Sequence, residues 1–176
     1  MRKMLLLTVA IPSLLLANAE QGDDILAPLK PLVGTWKGTG GRGSITSQVE
    51  AEYQFVLNNT YLEVKHRVVF PPQKDKPEGE IHKDFGIISF DRSREKFVFR
   101  QFHIEGFVIQ YTLDSLSTDG KVFVFNSEQI ENAPPGTRAE LIVVIADENE
   151  LQTTFNVAFP GKDFQCYSSN KLKRRK

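Results

Sequence analysis

Residues 45–70 read ITSQVEAEYQFVLNNTYLEVKHRVVF, and their alternation decides the fold. Side chains of a strand point to opposite faces in turn, so Val49, Ala51, Tyr53 and Phe55 share one face. Glu50, Glu52 and Gln54 take the other. Asn58-Asn59 supplies a turn tolerant of positive φ, and Leu62, Val64, His66 and Val68 carry the apolar face back. Pairing residues whose numbers sum to 117 sets Glu50 against Arg67 and Glu52 against Lys65. Both are opposite-sign cross-strand pairs of the kind that stabilise a sheet. A slip of one residue would break both pairs and invert the apolar pattern. The register therefore puts His66 on the inner face, across from Ala51.

The same pattern recurs along the chain. Short alternating or apolar segments are predicted at 84–90, 96–104, 107–114, 121–130, 138–146, 150–159 and 163–172. Turn chemistry separates them, at Asp91–Glu95, Glu105-Gly106, Thr118–Gly120, Ala133–Gly136, Asp147–Asn149 and Pro160-Gly161. Residues 71–83 (PPQKDKPEGEIHK) read as an exposed loop containing His82. The opening LAPLKPLVGTWKGTG, residues 26–40, gives a short helical or turn-like lead-in broken by Pro28 and Pro31, then a strand carrying Trp36. The reading is all-β: about ten antiparallel strands in a meander, which closure into a barrel would free of exposed edges. A barrel of eight or more strands has room for a small ligand; a filled sandwich without a cavity is the alternative.

The chain has 176 residues, 40% of them hydrophobic, and one cysteine, which suits one domain with one core and no internal disulfide. Residues 1–19 have the form of a secretory signal peptide: basic Arg2 and Lys3, an apolar run from Leu5 to Leu16, then Ala17-Asn18-Ala19. The expected product is a soluble exported protein, periplasmic or extracellular, comprising residues 20–176 with a basic tail at 171–176 (KLKRRK). The formal charge is zero, but setting aside Arg2, Lys3 and the five basic residues of the tail leaves 15 basic against 22 acidic residues. An acidic body excludes a nucleic-acid face. The tail reads as a solvated terminus or as a weak contact for an anionic surface.

Residues 97–113, FVFRQFHIEGFVIQYTL, crowd polar groups into an apolar hairpin. A two-residue turn at Glu105-Gly106 pairs Arg100 with Tyr111 on an apolar face, where a guanidinium suits a ligand carboxylate. A three-residue turn breaks that pairing and reopens the face assignment for His103 and Gln110. The candidate ligand-binding set is Arg100, Tyr111, His66, Tyr53, His103 and Gln110. Cys166 falls inward if Pro160-Gly161 makes an even-numbered turn, and reads as an inert thiol. The three histidines lack metal-site spacing, and no carboxylate pair is placed for acid–base work. Catalytic residues and a metal site are therefore not expected.

Gly34-Thr35-Trp36 within the 26–40 segment, followed by the meander over residues 25–172, resembles the nitrobindin-like haem-binding β-barrels and, more loosely, fatty-acid-binding proteins and other calycins. The resemblance implies a calycin-like barrel in which Trp36 plugs one end against a basic residue of the last strand, Lys171 or Lys173. It also implies haem held by a histidine of that strand. Here the strand reads FQCYSSNKLKR and has no histidine. The Arg-x-Tyr pair of fatty-acid-binding proteins has only Gln165-x-Tyr167 as its counterpart. The expectation is a non-catalytic binding barrel for an apolar ligand with an acidic group, lipid- or haem-like. Its cofactor is left open, with haem coming only through His66 or His103. A filled envelope barrel, or a haem-dependent enzyme acting on a small oxidant, are the alternatives.

Overall fold

The computed structural model describes residues 24–175; the signal-peptide segment lies outside them. A 3₁₀ turn at Ala27–Leu32 precedes ten strands: β1 Gly34–Arg42, β2 Ile45–Val56, β3 Tyr61–Phe70, β4 Glu80–Asp91, β5 Lys96–His103, β6 Val108–Leu116, β7 Val122–Glu131, β8 Arg138–Asp147, β9 Glu150–Ala158 and β10 Gln165–Arg174. Each strand pairs antiparallel with the next, and β10 returns to β1, so the meander is a closed barrel. Closure leaves no edge strand to template aggregation. Among the described residues no helix is long and apolar enough to cross a membrane.

The β2–β3 register is the predicted one, with Glu50 opposite Arg67, Glu52 opposite Lys65 and Ala51 opposite His66. The connection is longer than the Asn-Asn pair alone. Leu57, Asn58 and Asn59 all take positive φ, and the even loop length keeps the register.

The hairpin at 97–113 departs from the expected two-residue turn. Phe99 faces Tyr111, Arg100 faces Gln110 and Gln101 faces Ile109. The loop has three residues, Ile104, Glu105 and Gly106. His103 N–H donates to Phe107 O at 3.1 Å, and Gly106 N–H donates to His103 O at 2.9 Å. Gly106 sits at φ +89, the left-handed position that ends a three-residue hairpin loop. An Glu-Gly dipeptide fits either turn, so only the packing of both arms chooses. The odd loop turns Phe97, Phe99, Gln101 and His103 inward and Arg100 outward.

Two more expectations are corrected. Residues 80–83 belong to β4 rather than to a loop, so His82 stands in the sheet opposite Val68. The basic tail is mostly strand: Lys171–Arg174 complete β10 and pair with β1 and β9. A bulge between Cys166 and Ser168 shifts the strand's phase. Cys166 is consequently exposed, not inward.

Odd-numbered strands run from one barrel end to the other, which gives the ends distinct inventories. The end where β1 starts is sealed. Trp36, Leu29 and Leu32 are fully buried, and Trp36 Nε1–H donates to Leu32 O at 2.8 Å. The cation against the Trp36 ring is Arg174, its guanidinium carbon 4.0 Å from the ring centroid. Lys171 points outward to Glu150, 3.1 Å away. Leu172 is buried on the same strand, and the period of two therefore carries Arg174, and neither lysine, to the inside.

Candidate functional site

Above the plug, the barrel centre is a packed aromatic layer. Phe99 stacks on Tyr111 with ring centroids 5.7 Å apart and meets Phe125 edge-on at 6.0 Å. Gly86 makes this possible, because a Cβ there would lie 2.5 Å from the Phe99 ring and 2.6 Å from Arg100 O. Tyr111 OH is buried without a hydrogen-bond partner, and burial drives its pKa upward. Tyr53 is also buried, with its hydroxyl 3.4 Å from His66 Nε2. Neither tyrosine lines the cavity beyond this layer; both belong to its support.

The cavity occupies the other end and measures about 390 Å³. Apolar walls come from Val49, Ile109, Leu141, Phe155 and Val157, and His66, Asp84, Gln101, His103, Thr153 and Asn170 insert polar groups. Such a mainly apolar concavity with a few convergent polar groups is the usual form of a small-molecule site. At its mouth Arg42 lies over Phe70 and Tyr167 and donates to Tyr167 Oη at 2.6 Å.

His103 is the centre of the polar group. Its side chain is 9% exposed, and Nδ1 lies 2.8 Å from Asp84 Oδ1. The Asp84 carboxylate accepts from Nδ1–H, which leaves Nε2 as the ring's other nitrogen. That Nε2 is buried and has no hydrogen-bond partner. The ring stacks on Phe107 at a centroid distance of 4.1 Å, which fixes its plane. Asp84 is opposite both His66 and His103 in the sheet register. Desolvation holds the His66 imidazole below its ordinary pKa, against the raising effect of Asp84, so His66 is a neutral hydrogen-bonding group.

Of the residues singled out in the sequence, His66 and His103 come together across Asp84 in the cavity wall. Arg100 and Gln110 lie outside the barrel. Arg100 Nη1 reaches Ser89 Oγ at 3.4 Å, and Gln110 Nε2 donates to Glu128 at 3.1 Å. The expected Arg100–Tyr111 clamp for an acidic head group does not form. His82, Asp84 and Gln101 were missed. All three occupy inward positions, and the alternation Glu80, His82, Asp84, Gly86, Ile88 was the signal; its polar half reads like loop.

The β10 residues that line the cavity are Tyr167, Ser168 and Asn170, so a final-strand histidine for iron is absent. Asn170 Nδ2 instead donates to Thr153 Oγ1 at 2.9 Å. The donor set still fits haem by a different route, since His103 lines the cavity and its buried Nε2 is engaged by no protein group. A carboxylate behind a ligating histidine orients the ring and raises its basicity, and Asp84 stands in that place.

Comparison with known proteins agrees with this architecture. The crystal structure of Rv2717c from M. tuberculosis superposes with a TM-score of 0.63 at 17% identity, covering 87% of this chain and 98% of that one. A de novo designed fluorescence-activating beta barrel aligns at TM-score 0.40 and 14% identity, over 83% of this chain and 95% of that one. No curated protein matches the chain in sequence. Residues 25–174 match the family described as THAP4-like, heme-binding beta-barrel domain, and the chain belongs to that family.

Proposed function

We propose that this protein is a non-catalytic carrier whose cavity takes a compact, flat and largely apolar ligand with an acidic group, haem included. The observation that carries the reading is a largely apolar cavity lined by His103, whose buried Nε2 has no protein partner. A buried polar atom without a partner costs about 1–3 kcal/mol, and a ligand that engages it recovers that cost. Were haem the ligand, His103 would hold the iron and Asp84 would orient the ring; the group would supply redox and gas-binding chemistry. The chain's own part is to present one nitrogen, exclude water with Val49, Ile109 and Phe155, and face the acidic group toward Arg42 at the mouth. The form of residues 1–19 supports export to the periplasm or beyond, which fractionation of the native host would test.

Titration of the purified protein with haem tests the reading. A shifted, saturable Soret band is expected, and His103→Ala should remove the shift while His66→Ala leaves it. Absence of saturable binding by both haem and a fluorescent apolar acid such as anilinonaphthalene sulfonate would sink the carrier reading altogether.

A further inference from the structure

We propose that the cavity mouth also holds a centre for a divalent first-row transition-metal ion, built from Asp84, His103 and Glu105 with His82 beside them. The inference stands on its own geometry, and the ion would compete with haem iron for His103. Asp84, His103 and Glu105 each place one donor atom within 4.8 Å of the others. His82 Nδ1 contacts Glu105 Oε1, bringing a second imidazole to the same carboxylate. Ligand bonds near 2.0–2.2 Å are usual for imidazole and carboxylate on zinc. Two donors on one ion thus stand at most about 4 Å apart, within a small side-chain adjustment of the observed group.

The positions are supplied by rigid elements. His82 and Asp84 are successive inward residues of β4, His103 is directly opposite Asp84 on β5, and Glu105 is in the turn that follows. Behind His82, Glu80 Oε1 lies 2.9 Å from Nε2 without forming a hydrogen bond; a small rotation of either side chain would let the carboxylate support a metal-bound imidazole. Lys76 bonds Glu80 at 2.7 Å and Arg42 approaches it at 3.8 Å. Among the described residues, no lysine or arginine pairs with Asp84 or Glu105. Two carboxylates are therefore left to imidazoles, and the 9%-exposed ring of His103 has an Nε2 that no protein group engages. Mixed nitrogen and carboxylate donors suit zinc, ferrous iron or manganese better than calcium or magnesium.

A neutral imidazole has one lone pair to give. A metal ion on His103 consequently excludes haem iron from the same ring, whichever nitrogen is used. The test uses tag-free protein stripped with a chelator. Titration with Co²⁺ should give visible d–d bands that saturate at one equivalent, and Zn²⁺ should displace them. Asp84→Asn and Glu105→Gln should each weaken binding about 10–100-fold. Glu105 lies in an exposed turn, so its variant should keep the barrel's circular dichroism and remain informative if Asp84→Asn does not fold. Absence of saturable Co²⁺ and Zn²⁺ binding, or wild-type affinity in a folded Glu105→Gln variant, overturns the proposal. Haem uptake without metal uptake rejects this site and leaves the carrier reading standing; metal uptake without haem uptake does the reverse for haem.

Discussion

At the sealed end of the barrel, Trp36 donates its indole N–H to Leu32 O, and Arg174 spreads over its ring while bonding the carbonyls of Pro31, Val33 and Glu148. At the open end, His103 Nε2, Ser47 Oγ and Glu80 Oε2 are buried with no hydrogen-bond partner. The same ten strands form both ends, so secondary structure does not account for the difference. The sealed end satisfies its polar groups within the chain, whereas the open end leaves several unsatisfied around a cavity. Polar groups are satisfied at the first, and the second is where the proposed binding site lies, in line with the general cost that functional sites impose on a fold.

Breaking the sealed end should have the largest effect. Trp36→Ala removes a fully buried indole, and a loss of about 3–5 kcal/mol is expected from transfer and cavity costs, read by urea unfolding. Arg174→Ala comes next. It removes bonds to three carbonyls and a cation–π contact, so about 1–3 kcal/mol should be lost. Lys171→Ala, whose ion pair is exposed, should change stability by less than about 1 kcal/mol. Equal effects of the two substitutions would refute the assignment of Arg174 as the plug cation.

A smaller change of opposite sign is expected midway along the barrel. Tyr111→Phe deletes a buried hydroxyl that lacks a partner and leaves the stack on Phe99 intact. Stability should rise by about 1 kcal/mol, seen as a higher urea midpoint with unchanged slope. A fall would mean that the hydroxyl has a partner, such as a bound water.

The smallest effect concerns acid. Asp91, the last residue of β4 at the sealed end, has its pKa held down to about 2, chiefly by the Ser93 hydroxyl and the Arg94 guanidinium. A folded-state pKa below the unfolded one means that the unfolded chain binds more protons in between. Its contribution is thus complete above about pH 4 and fades as pH falls towards 2. Asp91→Asn should flatten the acid limb of the stability profile in that window and leave neutral pH unaffected. The carboxylate is solvent-exposed, which keeps the effect small.

Local chemistry explains what could be read in advance. Alternation with opposite charges at Glu50–Arg67 and Glu52–Lys65 constrains one register, and turn residues at short intervals constrain the number of strands. Trp36 as a plug came from the family resemblance that Gly34-Thr35-Trp36 carries. Its cation was not legible, because Lys171, Lys173 and Arg174 are chemically similar. The period of two, counted from buried Leu172, selects Arg174. The site was legible in part: His66 followed from its hairpin, and His103 was a candidate with its face unresolved.

The sequence by itself determined an antiparallel meander of about ten strands whose mainly apolar inner face carries a few polar residues, since period-two patterning and turn chemistry act over a few residues; closure into a barrel it left beside a filled sandwich. Tertiary structure decided which polar residues form that wall. A single residue in the loop at 104–106 reverses every side chain of β5, and nothing local to Glu105-Gly106 distinguishes the two loop lengths. Packing Phe99 against Tyr111 over Gly86, and His103 against Asp84 on β4, favours the odd loop. Those contacts are remote in sequence. The barrel had to close before His82, Asp84, His103 and Glu105 could share one mouth.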